Sequence, residues 1–288
     1  MSKKDIYYDN TMMSTYQTCQ RKFLLRHLRG IVPKSKPQAL EFGSAIHEGL
    51  STWYETGDEQ QALEDAFRDY TDDPMDEKRS SARGREILKK YFKQYPKEPF
   101  DIVANEVPFE QQLFSDDSYR YNLIGKIDLV INWHGGLYGF DHKTTSRLGK
   151  YYFNQYALSR QFMGYTMAMK RIYSDIAKKV QGFYINAIAV YKNKFKFERS
   201  LQTYNSHKLG LYDKYIPRLM NEMAFKQERY EKTKDETLFI PNWGNCELYG
   251  HCPYKPICTS LRPENVIERN YTIDFWDPRD EFDKKDGE

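Results

Sequence analysis

Asp128 closes a Gly125-x-x-Asp128 run, and thirteen residues later Asp141 and Lys143 stand as Asp-x-Lys. Alternate residues of a strand share a face, so Asp141 and Lys143 point the same way. Between the two acids, alternating runs flank Gly135-Gly136. That is a hairpin signal, because glycine supplies the positive φ of tight turns. With the loop at Gly135-Gly136, His134 pairs with Leu137, Val130 with Asp141 and Asp128 with Lys143. Cross-strand partners share a face. Lys126, Asp128, Asn132, Asp141 and Lys143 then gather on one side. Ile127, Leu129, Ile131, Trp133, Tyr138, Phe140 and His142 form a core side. Two carboxylates and an ammonium group on one face suit a hard divalent cation such as Mg²⁺. Such a cation neutralises phosphate charge and helps make hydroxide from water, while the ammonium group orients that water or stabilises the transition state. A half-solvated hairpin with ordinary surface charges is the competing reading.

Other residues bear chemistry at a distance in sequence. His47, in Gly43-Ser-Ala-Ile-His47, lies off the apolar stripe of its helix, and a neutral imidazole is a metal ligand. Gln161 and Tyr165 stand four residues apart, on one helix face, where they can touch a substrate strand or hold the lysine. All four cysteines fall in two places, Cys19 and the evenly spaced Cys246, Cys252 and Cys258. Four thiolates suit tetrahedral zinc or an iron–sulfur cluster. A ligand set so spread out would tie one end of the chain to the other.

The elements that must position these residues follow from periodicity and breakers. Residues 14–28 read as one helix containing Cys19. Residues 39–54 read as a helix on Ala39, Phe42, Ile46, Leu50 and Trp53, at three- and four-residue steps. Residues 60–70 and 80–95 read as two more helices, separated by an acidic turn at 71–77. After Pro96 and Pro99, residues 100–109 read as a strand holding Glu106, whose parity groups it with Ile102 and Ala104. The hairpin follows, then a helix over 150–173, strands over 181–191 and 195–204, and a helix over 206–231. Residues 242–260, rich in Cys, Pro and Tyr, read as irregular. This order predicts an α/β core with helices packed on a mixed sheet.

The chain has 288 residues, 40% hydrophobic and 30% charged, which is globular composition and not disorder. Its net charge of +3 does not by itself argue for nucleic acid. The last fifteen residues hold seven acids and three bases, so the body before them carries +7. A basic body with an acidic tail is compatible with a polyanionic partner. No run reaches the length of a membrane helix, and the N-terminus lacks a signal peptide's apolar stretch. A cytoplasmic protein without structural disulfides is expected.

Taken together, these residues resemble the RecB-like branch of the PD-(D/E)XK nucleases in its iron–sulfur form. That branch includes the nuclease domains of AddAB-type helicase–nucleases and the small iron–sulfur exonucleases of CRISPR spacer acquisition. The match runs from residue 14 to 258 in the family's motif order. It implies a restriction-endonuclease-like fold, a mixed sheet flanked by helices with the chain ends clasped by a metal cluster. It implies that His47, Asp128 and Asp141 bind Mg²⁺ or Mn²⁺, with the His142 carbonyl a further ligand and Glu106 an additional acid. Lys143 is then the catalytic lysine, with Gln161 and Tyr165 positioning it or the substrate. Cys19, Cys246, Cys252 and Cys258 would hold a [4Fe–4S] cluster, with zinc as the alternative. Two departures are visible: Gln20 follows Cys19 where the family often has proline, and both later cysteine gaps are five residues long.

The division implied is a cluster clasp over 1–38 and 242–270, a helical region over 39–98, a nuclease core over 99–241 and an acidic tail over 271–288. The activity implied is a metal-dependent deoxyribonuclease, an exonuclease on single-stranded DNA or DNA ends, in recombination, repair or CRISPR spacer processing. Helicase, recombinase or integrase proteins are the partners it brings to mind, and no membrane. Arg21, Lys22, Arg26 and Arg29 would hold a phosphate backbone, or form an ordinary solvated helix end, while aromatic residues stack on bases. The alternatives are a weakly cleaving or non-cleaving DNA-binding subunit of a recombination or spacer-acquisition complex, and a zinc-stabilised protein unrelated to nucleases.

Overall fold

The computed structural model describes residues 3–35, 37–247 and 251–280. Residues 281–288 of the acidic tail expected over 271–288 therefore lie outside the described residues. In chain order the elements begin with β1 (Lys4–Tyr8), α1 (Asn10–Thr18), α2 (Gln20–Phe23) and β2 (Ile31–Pro33). Then come α3 (Gln38–Thr56), α4 (Glu59–Ala66), α5 (Ser81–Gln94), β3 (Asp101–Ser115), β4 (Tyr119–Trp133) and β5 (Gly136–Thr145). They end with α6 (Arg160–Ile172), β6 (Val180–Val190), β7 (Phe195–Thr203), α7 (Ser206–Thr233), α8 (Lys255–Thr259), α9 (Pro263–Asn270) and β8 (Tyr271–Ile273). The strands form a mixed α/β arrangement: β5–β6 and β1–β4 are parallel, β4–β5 and β6–β7 antiparallel, and β3 also pairs with β4. No helix among the described residues is long and apolar enough to cross a membrane.

Two compact units divide the chain. One holds residues 1–35, 110–125 and 211–288, the other 36–109 and 126–210. In the second unit, helices cover both faces of the sheet. Phe42, Ile46 and Leu50 of α3 form one core with Ile87 and Leu88 of α5 and with Leu129, Ile131, Phe140 and Ile188 of the strands. On the other face Phe162 of α6 packs on Phe183, with ring centroids 5.0 Å apart. Gly139 makes room there, since a Cβ on it would lie 2.1 Å from the Phe183 ring. The parallel β5–β6 pair requires a crossover, and the segment with α6 supplies it. The helix ends obey local rules: the side chains of Asp58, Ser80 and Ser159 cap α4, α5 and α6.

In the first unit the two ends of the chain meet through backbone and apolar packing. β2 pairs antiparallel with β8, Ile31 opposite Ile273. Leu25 and Ile31 share a core with Tyr254, Ile257, Ile267 and Tyr271. The Tyr254 hydroxyl donates to the Ile31 carbonyl at 2.8 Å.

Several boundaries differ from expectation. The helix expected over 14–28 breaks at Cys19, which is extended (φ −164°, ψ 112°) and stands between α1 and α2. The helix expected over 150–173 starts only at Arg160, after a short tight turn of helix at Tyr152–Tyr156, because Ser159 supplies the cap. β3 runs six residues beyond the expected strand, and the stretch expected to be irregular contains α8.

Candidate active site

The hairpin turn lies one residue earlier than expected. Trp133 pairs with Gly136, leaving His134 (φ +50°) and Gly135 (φ +78°) as the two-residue loop. Two successive positive φ values are what a type I′ turn requires. Moving the loop by one residue moves the register by two, so Ile131 faces Tyr138 and Leu129 faces Phe140. Continuing this ladder sets Asp128 opposite Asp141. The expected Asp128–Lys143 and Val130–Asp141 pairs are corrected accordingly. A shift of two preserves parity, so Asp128, Asp141 and Lys143 still share a side. The competing reading of a half-solvated hairpin does not describe this side, where Val130 is fully buried and Asp141 is 3% exposed.

Asp128 is held at the end of the paired region. Its Oδ2 accepts the backbone N–H of His142 at 2.8 Å. The carboxylate thus accepts an N–H that a backbone carbonyl would take in a continued ladder. His47 reaches it from α3, with Nδ1 3.3 Å from Asp128 Oδ2. Gly43, one turn earlier in α3, lets the helix approach β5: a Cβ there would lie 3.1 Å from Thr144 Oγ1. Lys143 Nζ stands 2.7 Å from Asp141 Oδ2 and 5.5 Å from the centre of the Phe162 ring. Phe162, between the two α6 residues singled out from the sequence, is thus the one against the lysine. Tyr165 is buried against Phe109, with ring centroids 4.9 Å apart, and Gln161 is half-buried beside it.

The φ of Glu106, +50°, marks an irregularity in β3, so strict alternation with Ile102 and Ala104 does not fix the side its carboxylate takes. The carboxylate pairs with Lys126 and lies within electrostatic reach of Asp128 and His47. A non-glycine residue in the left-handed region is costly, and such cost collects at functional sites. An alternating pattern cannot show such an irregularity.

Charge at the site is unevenly compensated. Burial pushes the Asp141 carboxyl up to about 6, outweighing the pull of Lys143. Burial acts on Asp128 too, but His47, His142 and Lys143 together bring it well below the usual carboxylate range. Burial works against the His47 imidazolium, and Asp128 more than offsets it, so that pKa rises. Lys143 is likewise raised, Asp141 and Asp128 prevailing over burial.

Below the site runs a buried network that the sequence did not announce. Asn186 Nδ2 donates to His142 Nδ1 at 2.7 Å and to the Tyr91 hydroxyl at 3.0 Å. Arg199 can only donate. It gives Nε to Asn186 Oδ1 at 3.4 Å and Nη2 to Tyr91 at 2.8 Å, and forks onto Glu98 at 2.6 and 2.7 Å. This fixes the amide orientation, so His142 Nδ1 accepts and its proton sits on Nε2. Tyr91, accepting twice, donates to Tyr54, which donates to Glu98. Burial drives the His142 pKa down to about 3, so the ring is neutral.

The donor set has the character a divalent cation needs. Asp141 Oδ2 is buried and, apart from its ionic neighbour Lys143, makes no well-aligned hydrogen bond. Two carboxylates, an imidazole and a nearby Glu106 match the preference of a hard cation for oxygen with few nitrogens. These residues fit such a cation in chemistry. Among the described residues, however, no group of three His, Cys, Asp or Glu side chains is already drawn in to ligating geometry.

All four cysteines belong to the first unit and are free thiols. Cys19 Sγ accepts the Asn242 amide at 3.4 Å. The Cys258 thiol is raised by burial, against the pull of Arg21, and feels Cys252 and Cys19. Of the basic run, Arg21 and Arg29 pair with Glu236, Arg29 also with Glu264, and Arg26 donates to the Asp274 carbonyl.

A family model described as the PD-(D/E)XK nuclease superfamily matches residues 11–259. No curated protein matches the chain. Among solved structures, one titled "Crystal structure of SSO0001" is similar at 12% identity and a TM-score of 0.31, covering 85% of this chain and 95% of that one.

Proposed function

The chain belongs to the PD-(D/E)XK nuclease superfamily, and from this footing we propose that it is a deoxyribonuclease using Mg²⁺ or Mn²⁺ to cut single-stranded DNA or DNA ends. Members of this superfamily are nucleases that generally use divalent metals. One observation carries the finer reading: His47, Asp128, Asp141 and Lys143 converge where β4 and β5 part, with an under-bonded carboxylate oxygen among them. Nothing in binding alone requires that group.

In this reading His47, Asp128, Asp141 and the His142 carbonyl hold the cation, with Glu106 beside them. The bound cation supplies Lewis-acid charge for the phosphate and lowers the pKa of water. Asp128 keeps its geometry through the His142 amide, which ties the acid to the strand that carries Asp141. Asp141 would serve the cation as a ligand, and the Lys143 ammonium group beside it would orient the attacking water or stabilise charge developing on the phosphate. Phe162 confines the ammonium group on its apolar side. Gln161 and Tyr165 position α6 against the substrate strand. Cys19, Cys246, Cys252 and Cys258 would hold a [4Fe–4S] cluster, or zinc, as a structural clasp; the backbone N–H of Asn242 donated to Cys19 Sγ is the kind of contact a bound sulfur receives.

The test is cleavage of end-labelled single- and double-stranded DNA with Mg²⁺ or Mn²⁺, with Lys143→Ala as control. Lys143→Ala is expected to lose at least about 100-fold in kcat with its fold intact. Full activity in a chelated sample would sink the reading. A folded, metal-loaded protein that binds DNA without cutting it would instead be the non-cleaving subunit. Visible absorption of protein prepared without air separates the cluster from zinc.

A further inference from the structure

A groove starts beside the lysine strand and leads away from the site within the same unit. Its narrow part, about 260 Å³, is lined by Thr144 and Thr145, which directly follow Lys143, and by Ser146 and Val190. Ser146 and Val190 also line its wide part, about 1070 Å³, with Arg83, Lys78, Tyr191 and Lys192. Cations thus come from two separate elements: Arg83 from α5 and Lys192 from the turn between β6 and β7.

Arg83 is unusual. Its guanidinium lies over the Phe195 ring, 5.0 Å from the centroid, and Nη1 meets Glu86 at 2.5 Å. Its Nε and Nη2 are buried and have no hydrogen-bond partner. Unspent buried donors are costly, so they call for an acceptor. The side chain lines the groove and is 18% exposed, while its two unpaired donors are covered, so gripping an anion requires Arg83 to shift and bring them to the groove. Acids line the groove as well, but Asp76 is paired with Arg79, and Asp73 accepts the Met75 amide at 2.8 Å. Glu77 is exposed to solvent.

We propose that this groove is a subsite for the backbone of the strand being cut, with Arg83 and Lys192 gripping a phosphate next to the scissile one. The proposal rests on the nuclease reading above. From Lys143 to Ser146, where the wide part begins, an extended chain spans roughly 10 Å, so Arg83 and Lys192 face a phosphate close to the scissile one along the strand. Arginine suits this task because its planar fork matches phosphate oxygens.

The test measures binding of a labelled single-stranded oligonucleotide in Ca²⁺ and its cleavage in Mn²⁺. Arg83→Ala should raise Kd and KM about tenfold and hold kcat within about twofold. It should reduce the slope of log affinity against log salt by about 0.7, the share of one phosphate contact on a single strand. Arg83→Lys should recover the slope. Lys192→Ala, on an exposed turn, should act in the same direction and carries the test if Arg83→Ala does not fold. Wild-type Kd and salt slope in folded Arg83→Ala and Lys192→Ala would overturn the subsite while leaving the nuclease reading in place. A wild-type protein that neither binds nor cuts the oligonucleotide would remove the nuclease reading and the subsite together.

Discussion

Asn186 donates its amide to His142 Nδ1 at 2.7 Å, and through that bond the strand carrying Asp141 is tied to the Arg199–Glu98 ion pair. Asn186 is fully buried and spends its three bonds on His142 Nδ1, the Tyr91 hydroxyl and Arg199 Nε, of which Tyr91 and Arg199 also bond elsewhere in the network. Asn186→Leu should therefore destabilise the protein by about 3 kcal/mol, since it leaves His142, Tyr91 and Arg199 short of partners in a buried setting. Tyr91→Phe, which removes one hydroxyl from the same chain, should cost about 1–2 kcal/mol. Urea denaturation of each variant checks both values, and a neutral Asn186→Leu would mean that the network contributes nothing.

Metal affinity should depend on pH in two steps. Ligands must shed their protons before they bind. His47 is raised above its ordinary 6.5 and Asp141 is pushed up to about 6, while Asp128 stays ionised. As pH falls, affinity for Mn²⁺ should drop about tenfold per unit once His47 protonates, and about a hundredfold per unit below about 6, where Asp141 takes up a second proton. Asp141→Asn should keep only the shallower limb. Titration calorimetry between pH 5 and 8 reads both limbs, and a single slope in the wild-type protein would show that Asp141 does not compete for a proton there.

Glu106 is the place where backbone cost and chemistry meet. At φ +50° an alanine retains the steric penalty and a glycine does not. Glu106→Gly should be more stable than Glu106→Ala by about 1 kcal/mol. Both should bind Mn²⁺ more weakly than wild type, because each removes a carboxylate near Asp128 and His47. Equal stability of the two variants would argue for a relaxed strand at 106 in solution.

Local pattern carried the sequence reading furthest where chemistry and periodicity coincide. The stripe of Phe42, Ile46 and Leu50 placed α3, and with it His47 on a different surface from the stripe. The glycine pair located the hairpin but not its register, because His134 as well as Gly135 takes a positive φ. Only non-glycine strain distinguishes the two loops, and composition does not report it. Glu106 escaped for the same reason. The Tyr91–Asn186–Arg199 network escaped because its members come from separate elements and none has a motif. At Cys19 the apolar pattern continues through the break, so the split between α1 and α2 was invisible. The pairing of β2 with β8 joins residues more than 200 apart, which no local pattern encodes.

His27 predicts how the first unit responds to acid. The ring is 9% exposed, tilted on Phe23 with centroids 5.3 Å apart, and neither nitrogen has a hydrogen-bond partner. Burial, aided by Arg26 and Lys22, pushes its pKa down to about 3. The unfolded chain takes up this proton near 6.5 and the folded chain only near 3, so between those values the unfolded state binds more protons. Its contribution to stability is complete above about 6.5 and is lost as pH falls, by about 1.4 kcal/mol per unit. His27→Phe should remove this slope, leaving a variant whose loss of stability between pH 6.5 and 4 is shallower than that of wild type. Urea midpoints at pH 7, 6, 5 and 4 decide it. Parallel curves for the two proteins would show that His27 finds a proton-accepting partner when folded.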